Sequence, residues 1–328
     1  ASEISSIPTN KIFYLKSFSS LFRRIMTPSR TNLQTPTKLY LDLLRPNEKI
    51  NAVSLEQFSD IIDTFKELKI ENINQYINKL RMYKNDAEIK KLKSAIDITK
   101  KGLDRIMKSL AIRDNEHQIE ADFVHEITLN GADGIGFDTI LASGMNATIL
   151  HYEDNNKPLN KGELLLCDLG AIKDQYSADI SRTYPISGLY TSRQKDIYNL
   201  VLKCNKECIE YVKPGITLND IHNLSKKILS EGAVSLGLIK EENEITKYYY
   251  HSIGHFLGLN VHDVSVGGLK LEAGMIITIE PGLYIKEENI GIRIEDNILV
   301  TDDGYINLSA AIIKEIKDIE SFINENKV

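Results

Sequence analysis

The stretch His251-Ser252-Ile253-Gly254-His255-Phe256-Leu257-Gly258-Leu259-Asn260-Val261-His262-Asp263 decides how this chain is read. Three histidines fall within twelve residues, with glycines between them. His255 and His262 are seven apart with Gly258 between, which predicts an irregular segment rather than one smooth helix. A lone histidine is ordinarily a satisfied core residue. Three of them, with Asp263 adjacent and four acids in apolar strands elsewhere, point to chemistry. Imidazole is the commonest nitrogen ligand for metals, and carboxylates favour hard cations.

The acids are read strand by strand. Asp168 interrupts the apolar run Glu163-Leu164-Leu165-Leu166-Cys167-Asp168-Leu169-Gly170. Asp179 follows eleven residues later, past a turn at Lys173-Asp174, and Gln175 to Tyr184 reads as the hairpin partner. Such a hairpin puts both carboxylates on one face, where a buried pair is costly without a cation. Glu280 ends Met275-Ile276-Ile277-Thr278-Ile279, and Glu295 lies in a strand expected over Ile292–Val300. Plainer readings exist. Asp168 and Asp179 can be turn or edge residues, as Asp174 is, and Arg293, two before Glu295 on the same strand face, can simply neutralise it. The histidine stretch weighs against both. One histidine with four carboxylates is an oxygen-rich set that suits manganese, iron(II), cobalt or magnesium better than a sulfur-ligated structural zinc. Four carboxylates balance two divalent cations. Two such ions ~3.5–4 Å apart can hold a bridging hydroxide and polarise a carbonyl, the chemistry of amide or ester hydrolysis. The chain has neither a Gly-x-Ser-x-Gly elbow nor a Walker-type phosphate loop.

Length and composition set the frame. With 328 residues the chain fits one large domain and a smaller one. Its net charge of −6, with no basic stripe, argues against nucleic acid as a partner. No apolar run approaches the roughly 18 residues of a membrane span. Ala1 to Asn10 is polar and unlike a signal peptide, and the absence of an initiating Met predicts processing or a chain boundary. Three cysteines, Cys167, Cys204 and Cys208, make no disulfide framework and fit a reducing cytoplasm. Cys204 and Cys208, on one helix face, read as core thiols.

Along the chain, Ser19 or Ser20 is expected to cap a helix through Leu21, Phe22, Ile25 and Met26 that ends near Pro28. Lys38–Leu43 reads as a strand stopped by Arg45-Pro46-Asn47, and Ser54 as the cap of a helix bearing Phe58, Ile61, Ile62, Phe65 and Leu68. This is too little sheet for an independent α/β domain, so residues 1–80 read as part of one and residues 81–328 as the main domain. There, helices are expected from Asn85 or Asp86 through Leu110, over 117–130 to Gly131, from Ser192 to Val212, from the cap Thr217 to just before Gly232, and over Ala310–Glu325. Strands are expected at Gly136–Gly144 and Ile149–Tyr152. His117, His125 and His222 read as surface residues without a role.

Taken jointly and in order, six segments resemble the aminopeptidase P and prolidase branch of the pita-bread metallopeptidases, over about residues 80 to 315. They are Ile149-Leu150-His151-Tyr152, Cys167-Asp168-Leu169-Gly170, Ser177 to Pro185, His251 to Asp263, Thr278-Ile279-Glu280-Pro281-Gly282-Leu283-Tyr284, and Gly291-Ile292-Arg293-Ile294-Glu295-Asp296. The resemblance implies an α+β pita-bread catalytic domain behind a small, incomplete N-terminal α/β domain. It implies two divalent ions, manganese first, with cobalt, iron or zinc as alternatives. Asp168 would chelate one ion, His255 and Glu280 the other, and Asp179 and Glu295 would bridge both. Glu280 would also accept the proton of the attacking water. His151 and His262 would contact the substrate and steady the tetrahedral intermediate, with His251 a third pocket histidine and Arg293 and Tyr284 orienting ligands or shuttling protons. The implied activity is removal of the residue before proline at a peptide N-terminus, with an Xaa-Pro dipeptidase as the alternative. Ser252 stands where the family motif usually has Gly, which alters pocket shape more than ligation. The full N-terminal domain of this branch shapes the pocket and builds oligomers, so a homodimer depends on a region that residues 1–80 match only in its later half. A silent peptide-binding module and a creatinase-type hydrolase share the fold, but both lack the full ligand set that this chain retains.

Overall fold

The computed structural model describes residues 8–27, 35–44, 52–265 and 268–326. The chain divides into two units, Ala1–Lys79 and Leu80–Val328. The first holds helix α1 (Phe18–Met26), strand β1 (Lys38–Leu41), short helices α2 (Val53–Gln57) and α3 (Ser59–Thr64), and strand β2 (Lys69–Asn72). β1 and β2 pair in parallel, Lys38 opposite Lys69, an arrangement that needs the helical crossover between them. Met26, Ile61, Phe65 and Leu68 make its small core. Three expectations are corrected. Ser17, not Ser19 or Ser20, stands at the N-cap of α1, and Ser20 Oγ instead donates to the Ser17 carbonyl at 2.8 Å. Ser54 caps nothing, because its hydroxyl donates to the Asp42 carbonyl and Ala52 takes the cap position. The helix it was expected to start breaks at Phe58. The stops at Pro28 and Arg45-Pro46-Asn47, and the first seven residues, lie outside the described residues.

α4 (Asn74–Met82) leads into the second unit. α5 (Asp86–Ser109) starts at a capping box in which Asn85 accepts from the Glu88 N–H and the Glu88 carboxylate from the Asn85 N–H. Leu92, Ile96, Leu103 and Ile106 line its buried stripe. α6 (Glu116–Leu129) follows, and Gly131 beyond it takes the left-handed φ of +82° that ends such helices. Then come β3 (Gly134–Ile135), β4 (Ile140–Ser143), β5 (Leu164–Leu169), β6 (Ala171–Lys173), β7 (Tyr176–Ser177) and β8 (Ile180–Pro185), in two sheets ordered β4-β5-β8 and β3-β6-β7. Ile149–Tyr152 is a turn after a 3₁₀ segment rather than the expected strand.

Helices α7 (Ser192–Tyr211) and α8 (Leu218–Ser235) come next, each with a capping box, at Thr191/Gln194 and Thr217/Asp220. α8 runs through Gly232 instead of stopping before it. The glycine lets the helix lie close to Leu200, where a Cβ would collide with the leucine side chain. The last strands are β9 (Ile276–Ile279), β10 (Gly282–Ile285), β11 (Ile290–Arg293), β12 (Asp296–Val300) and β13 (Tyr305–Asn307), in sheets β13-β12-β9 and β10-β11. α9 spans only Ile316–Glu325. Residues 310–315 are not helical, because the carbonyls of Ile312 and Ile313 accept from Arg182 and that of Lys314 from Tyr198. One core runs through α5 to α9 and the strands, and it includes Cys167, Cys204 and Cys208.

Candidate metal centre

β5 and β8 pair antiparallel with Asp168 opposite Ser181. The expected single hairpin is two. β6 and β7 turn back at Asp174 and Gln175, both with positive φ (48° and 71°), and the chain then re-enters the other sheet as β8. Asp179 sits at that crossing, just before β8. Asn297 pins it there, donating through Nδ2 to the Asp179 carbonyl at 2.6 Å and accepting the Asp179 N–H at 3.3 Å. Glu280 follows the end of β9. The expected strand over Ile292–Val300 is also split, since β11 ends at Arg293, β12 begins at Asp296, and Glu295 occupies the break. Arg182, fully buried, holds this break open, with Nη1 donating to the carbonyls of Glu295 (2.6 Å) and Ser181 (2.9 Å) and Nη2 to Asp296 (2.9 Å).

These ends meet at one cavity of about 740 Å³, lined by Asp168, Asp179, His255, Glu280 and Glu295 with His151, His251, His262 and Arg293. Phe137, Ile140, Leu150 and Val261 supply its apolar wall. Ligand atoms of Asp179, His255 and Glu295 all lie within 4.8 Å of one another. His255 Nε2 is 3.2 Å from Asp179 and 3.7 Å from Glu280. Its Nδ1 lies 3.1 Å from the Phe256 carbonyl, a bond that fixes the ring with Nε2 facing the two carboxylates. Groups of this kind held so close together need a proton or a cation between them.

The acids carry the same strain. Burial, reinforced by their neighbours' charges, pushes Asp179 and Glu295 well above the usual carboxylate range. Burial raises Glu280 to about 7 against the pull of His255 and Arg293. Asp168 Oδ1 is buried without a hydrogen-bond partner. Divalent ions supply the partner and the charge this donor set lacks, so the residues fit a metal centre.

Around the acids runs a hydrogen-bonded frame. Arg293 does not neutralise Glu295 as the plainer reading supposed. The strand break turns the arginine aside, and its guanidinium donates to Asp168 (2.6 Å), Tyr284 OH (2.8 Å) and Ser181 Oγ (2.8 Å). Ser181 Oγ in turn donates to Glu295 at 2.8 Å. Tyr284 lies buried behind the cavity, its OH 2.8 Å from His251 Nε2, while His251 Nδ1 is 2.7 Å from the Ser252 carbonyl. Both ring nitrogens of His251 are thus engaged within the protein. Burial, then Arg293, lowers its pKa to about 4, so it is neutral. His262 packs edge-on to His255 with ring centroids 4.3 Å apart, and burial followed by His255 lowers its pKa. His151 is exposed at the cavity.

Several residues of this frame carried no role in the sequence. Ser181 and Asn297 are polar residues in otherwise buried strands, a signal of the same kind as Asp168. Asn205 is a buried asparagine in mid-helix, and its Nδ2 donates at 3.1 Å to the carbonyls of both Ile279 and Ile294, the residues before Glu280 and Glu295. His222 is half-buried rather than on the surface, with its ring against Tyr249 and burial lowering its pKa. His117 and His125 are exposed. Cys204 and Cys208 are core residues with sulfurs 3.9 Å apart.

Residues 90–302 match the model of metallopeptidase family M24. The chain is 34% identical over 334 residues to an Xaa-Pro aminopeptidase of Haemophilus influenzae, covering 96% of this chain and 74% of that one. It is also 34% identical to the mitochondrial intermediate cleaving peptidase 55 of Arabidopsis thaliana, over 87% of this chain and 61% of that one. Its fold superposes on a Bacillus anthracis protein assigned as an aminopeptidase P with a TM-score of 0.91 at 44% identity, covering 99% of this chain and 76% of the other. The α+β fold is therefore of the pita-bread kind. Among the described residues no helix is long and apolar enough to cross a membrane.

Proposed function

Because the chain belongs to metallopeptidase family M24, we propose that it is a two-metal Xaa-Pro aminopeptidase, removing the N-terminal residue of peptides with proline in second position. The observation that carries this reading is the acid cluster around the His255 imidazole, set in an open cavity. We assign Asp168, Asp179, His255, Glu280 and Glu295 to hold two divalent ions, manganese by preference because the donors are oxygen-rich. Bound there, the ions supply Lewis-acid polarisation of the scissile carbonyl and acidify a water for attack.

The chain's own residues do the rest. Glu280 takes a proton from the attacking water and returns it to the proline nitrogen, which leaves readily only once protonated. His151 and His262 line the cavity and present N–H donors to the developing oxyanion. His251, Tyr284 and Arg293 form a relay ending on Asp168, and we assign them to ligand orientation. Residues 1–80 as a partial creatinase-like domain, 81–328 as the catalytic domain, a cytoplasmic site and a homodimer complete the reading. Free thiols support the cytoplasm, and the branch supports the dimer.

The test is hydrolysis of Xaa-Pro and Xaa-Pro-Yaa peptides by metal-stripped protein, with and without added Mn²⁺. Mn²⁺-dependent release of the first residue from the tripeptide is expected. Cleavage of dipeptides alone would make it a prolidase, and no cleavage with any divalent ion would overturn the reading. Full activity in Glu280→Gln would remove the proton-transfer role.

A further inference from the structure

The ring of His151 makes no hydrogen bond among the described residues, so no side-chain bond of its own fixes it and the backbone of the connection over 144–157 sets where it starts from. Behind that connection lies Glu116, fully buried at the start of α6 and without a cationic partner among the described residues. Its Oε1 accepts from Ser143 N (2.8 Å), Ser143 Oγ (2.6 Å) and Asn146 Nδ2 (3.4 Å). Its Oε2 accepts from Tyr152 OH (2.8 Å) and Lys157 N (3.0 Å), and its own N–H donates to the Lys157 carbonyl at 3.0 Å. A buried carboxylate without a counter-ion is tolerable only when its lone pairs are filled, and the N-terminus of α6 adds favourable dipole. One turn on, Glu120 accepts from Asn155 Nδ2 at 3.2 Å. Asn155 in turn takes the Leu141 N–H at 2.9 Å and donates to the Thr139 carbonyl at 2.9 Å. One face of α6 therefore holds the beginning, middle and end of the segment that carries His151.

We propose that Glu116, acting through Tyr152, is a positioning residue for His151, fixing the height at which the imidazole meets the substrate carbonyl. The proposal rests on the assignment of His151 to the substrate made above. Tyr152 is the next residue in the chain, so its anchored hydroxyl limits how far the His151 backbone can shift. Misplacing a catalytic group by about 1 Å can cost roughly a hundred-fold in rate.

Tyr152→Phe deletes only the hydroxyl that joins the two residues. The expected result is a fall in kcat on Xaa-Pro-Yaa peptides of about ten-fold, with KM changed by less than about two-fold. Hydrogen exchange over 144–157 in the metal-free protein quickens, while α5 and α7 are unchanged. In a His151→Ala background, Tyr152→Phe adds less than about two-fold, since residues acting as a unit are not additive. Effects that multiply in this cycle, or unchanged exchange in the segment, overturn the proposal. Glu116→Gln places an amide N–H against donors on either side and is expected to act more strongly; should it fail to fold, Tyr152→Phe decides. If the parent protein cleaves no such peptide, the functional reading falls while the exchange measurement still judges the positioning role.

Discussion

Arg293 Nη2 donates to Asp168 Oδ2 at 2.6 Å, across 125 residues of sequence, and leaves Glu295, its neighbour but one, to Ser181. The arginine is almost wholly buried, and its other two bonds go to Tyr284 and Ser181, so one guanidinium orients Asp168 directly and Glu295 through a hydroxyl. Arg293→Lys keeps a positive charge but loses the planar fork that reaches all three acceptors. Mn²⁺ affinity, measured by calorimetry, is expected to fall about 10- to 100-fold, as for other residues that orient metal ligands.

Metal loading should release protons. Glu280 lies at about 7, and Asp179 and Glu295 lie well above the usual range, so at neutral pH the metal-free site retains protons that a cation must displace. Apparent Mn²⁺ affinity therefore falls as pH drops below about 7. Titrations in buffers of different ionisation enthalpy should give different apparent heats in proportion to the protons released. Equal heats in all buffers would contradict the raised carboxylates.

Asn205 braces the two glutamates from behind. Asn205→Ala removes the side-chain hydrogen bond that each of the Ile279 and Ile294 carbonyls accepts and takes away the acceptor of Lys314 Nζ, 2.7 Å away. A loss of about 2–3 kcal/mol in urea unfolding of the metal-free protein is expected from the lost buried hydrogen bonds. Mn²⁺ affinity should drop about ten-fold as the two strand ends loosen.

Asp263, the residue after His262, forms a buried pair with Lys84 at 3.3 Å, both side chains 1% exposed, and also binds Arg81. Lys84→Met should cost about 3 kcal/mol in denaturant unfolding, because it leaves a buried carboxylate short of charge. Removing both charges in Lys84→Met/Asp263→Leu should recover part of that loss. A double variant less stable than the single one would contradict the pairing.

Asp122 tests the electrostatics away from the cavity. Burial pushes its carboxyl up, but hydrogen bonds from Arg113 and Arg105 prevail and hold it at about 2. A folded pKa below the unfolded value of about 3.9 stabilises the protein above that pH, and the stability is lost as pH falls through about 2. In metal-free protein, Asp122→Asn should be less stable than the parent at about pH 6, and the difference should shrink toward about pH 2. A difference constant with pH would show that Asp122 contributes through packing alone.

The sequence by itself pointed to the acids and the histidine that the structure brings to one cavity. Asp168, Asp179, His255, Glu280 and Glu295 were legible because each is a charged or ligating group where apolar strands or glycine-rich turns call for something else. Burying such a group is too costly to occur without purpose. The main helices were legible from caps and apolar spacing, as at Asn85, Thr191 and Thr217, since those signals act within a single turn.

Tertiary structure alone decided how the acids are oriented. Ser181, Asn205, Asn297 and Glu116 act on residues tens of positions away, through bonds that no local pattern encodes. The strand break at Glu295 exists because Arg182 takes carbonyls that a continuous ladder would have used. Whether Arg293 pairs with Glu295 or Asp168 follows from that break. Short-range patterning therefore singles out the polar groups placed where apolar ones belong, and long-range hydrogen bonding, which depends on which buried groups are left to satisfy, sets their geometry.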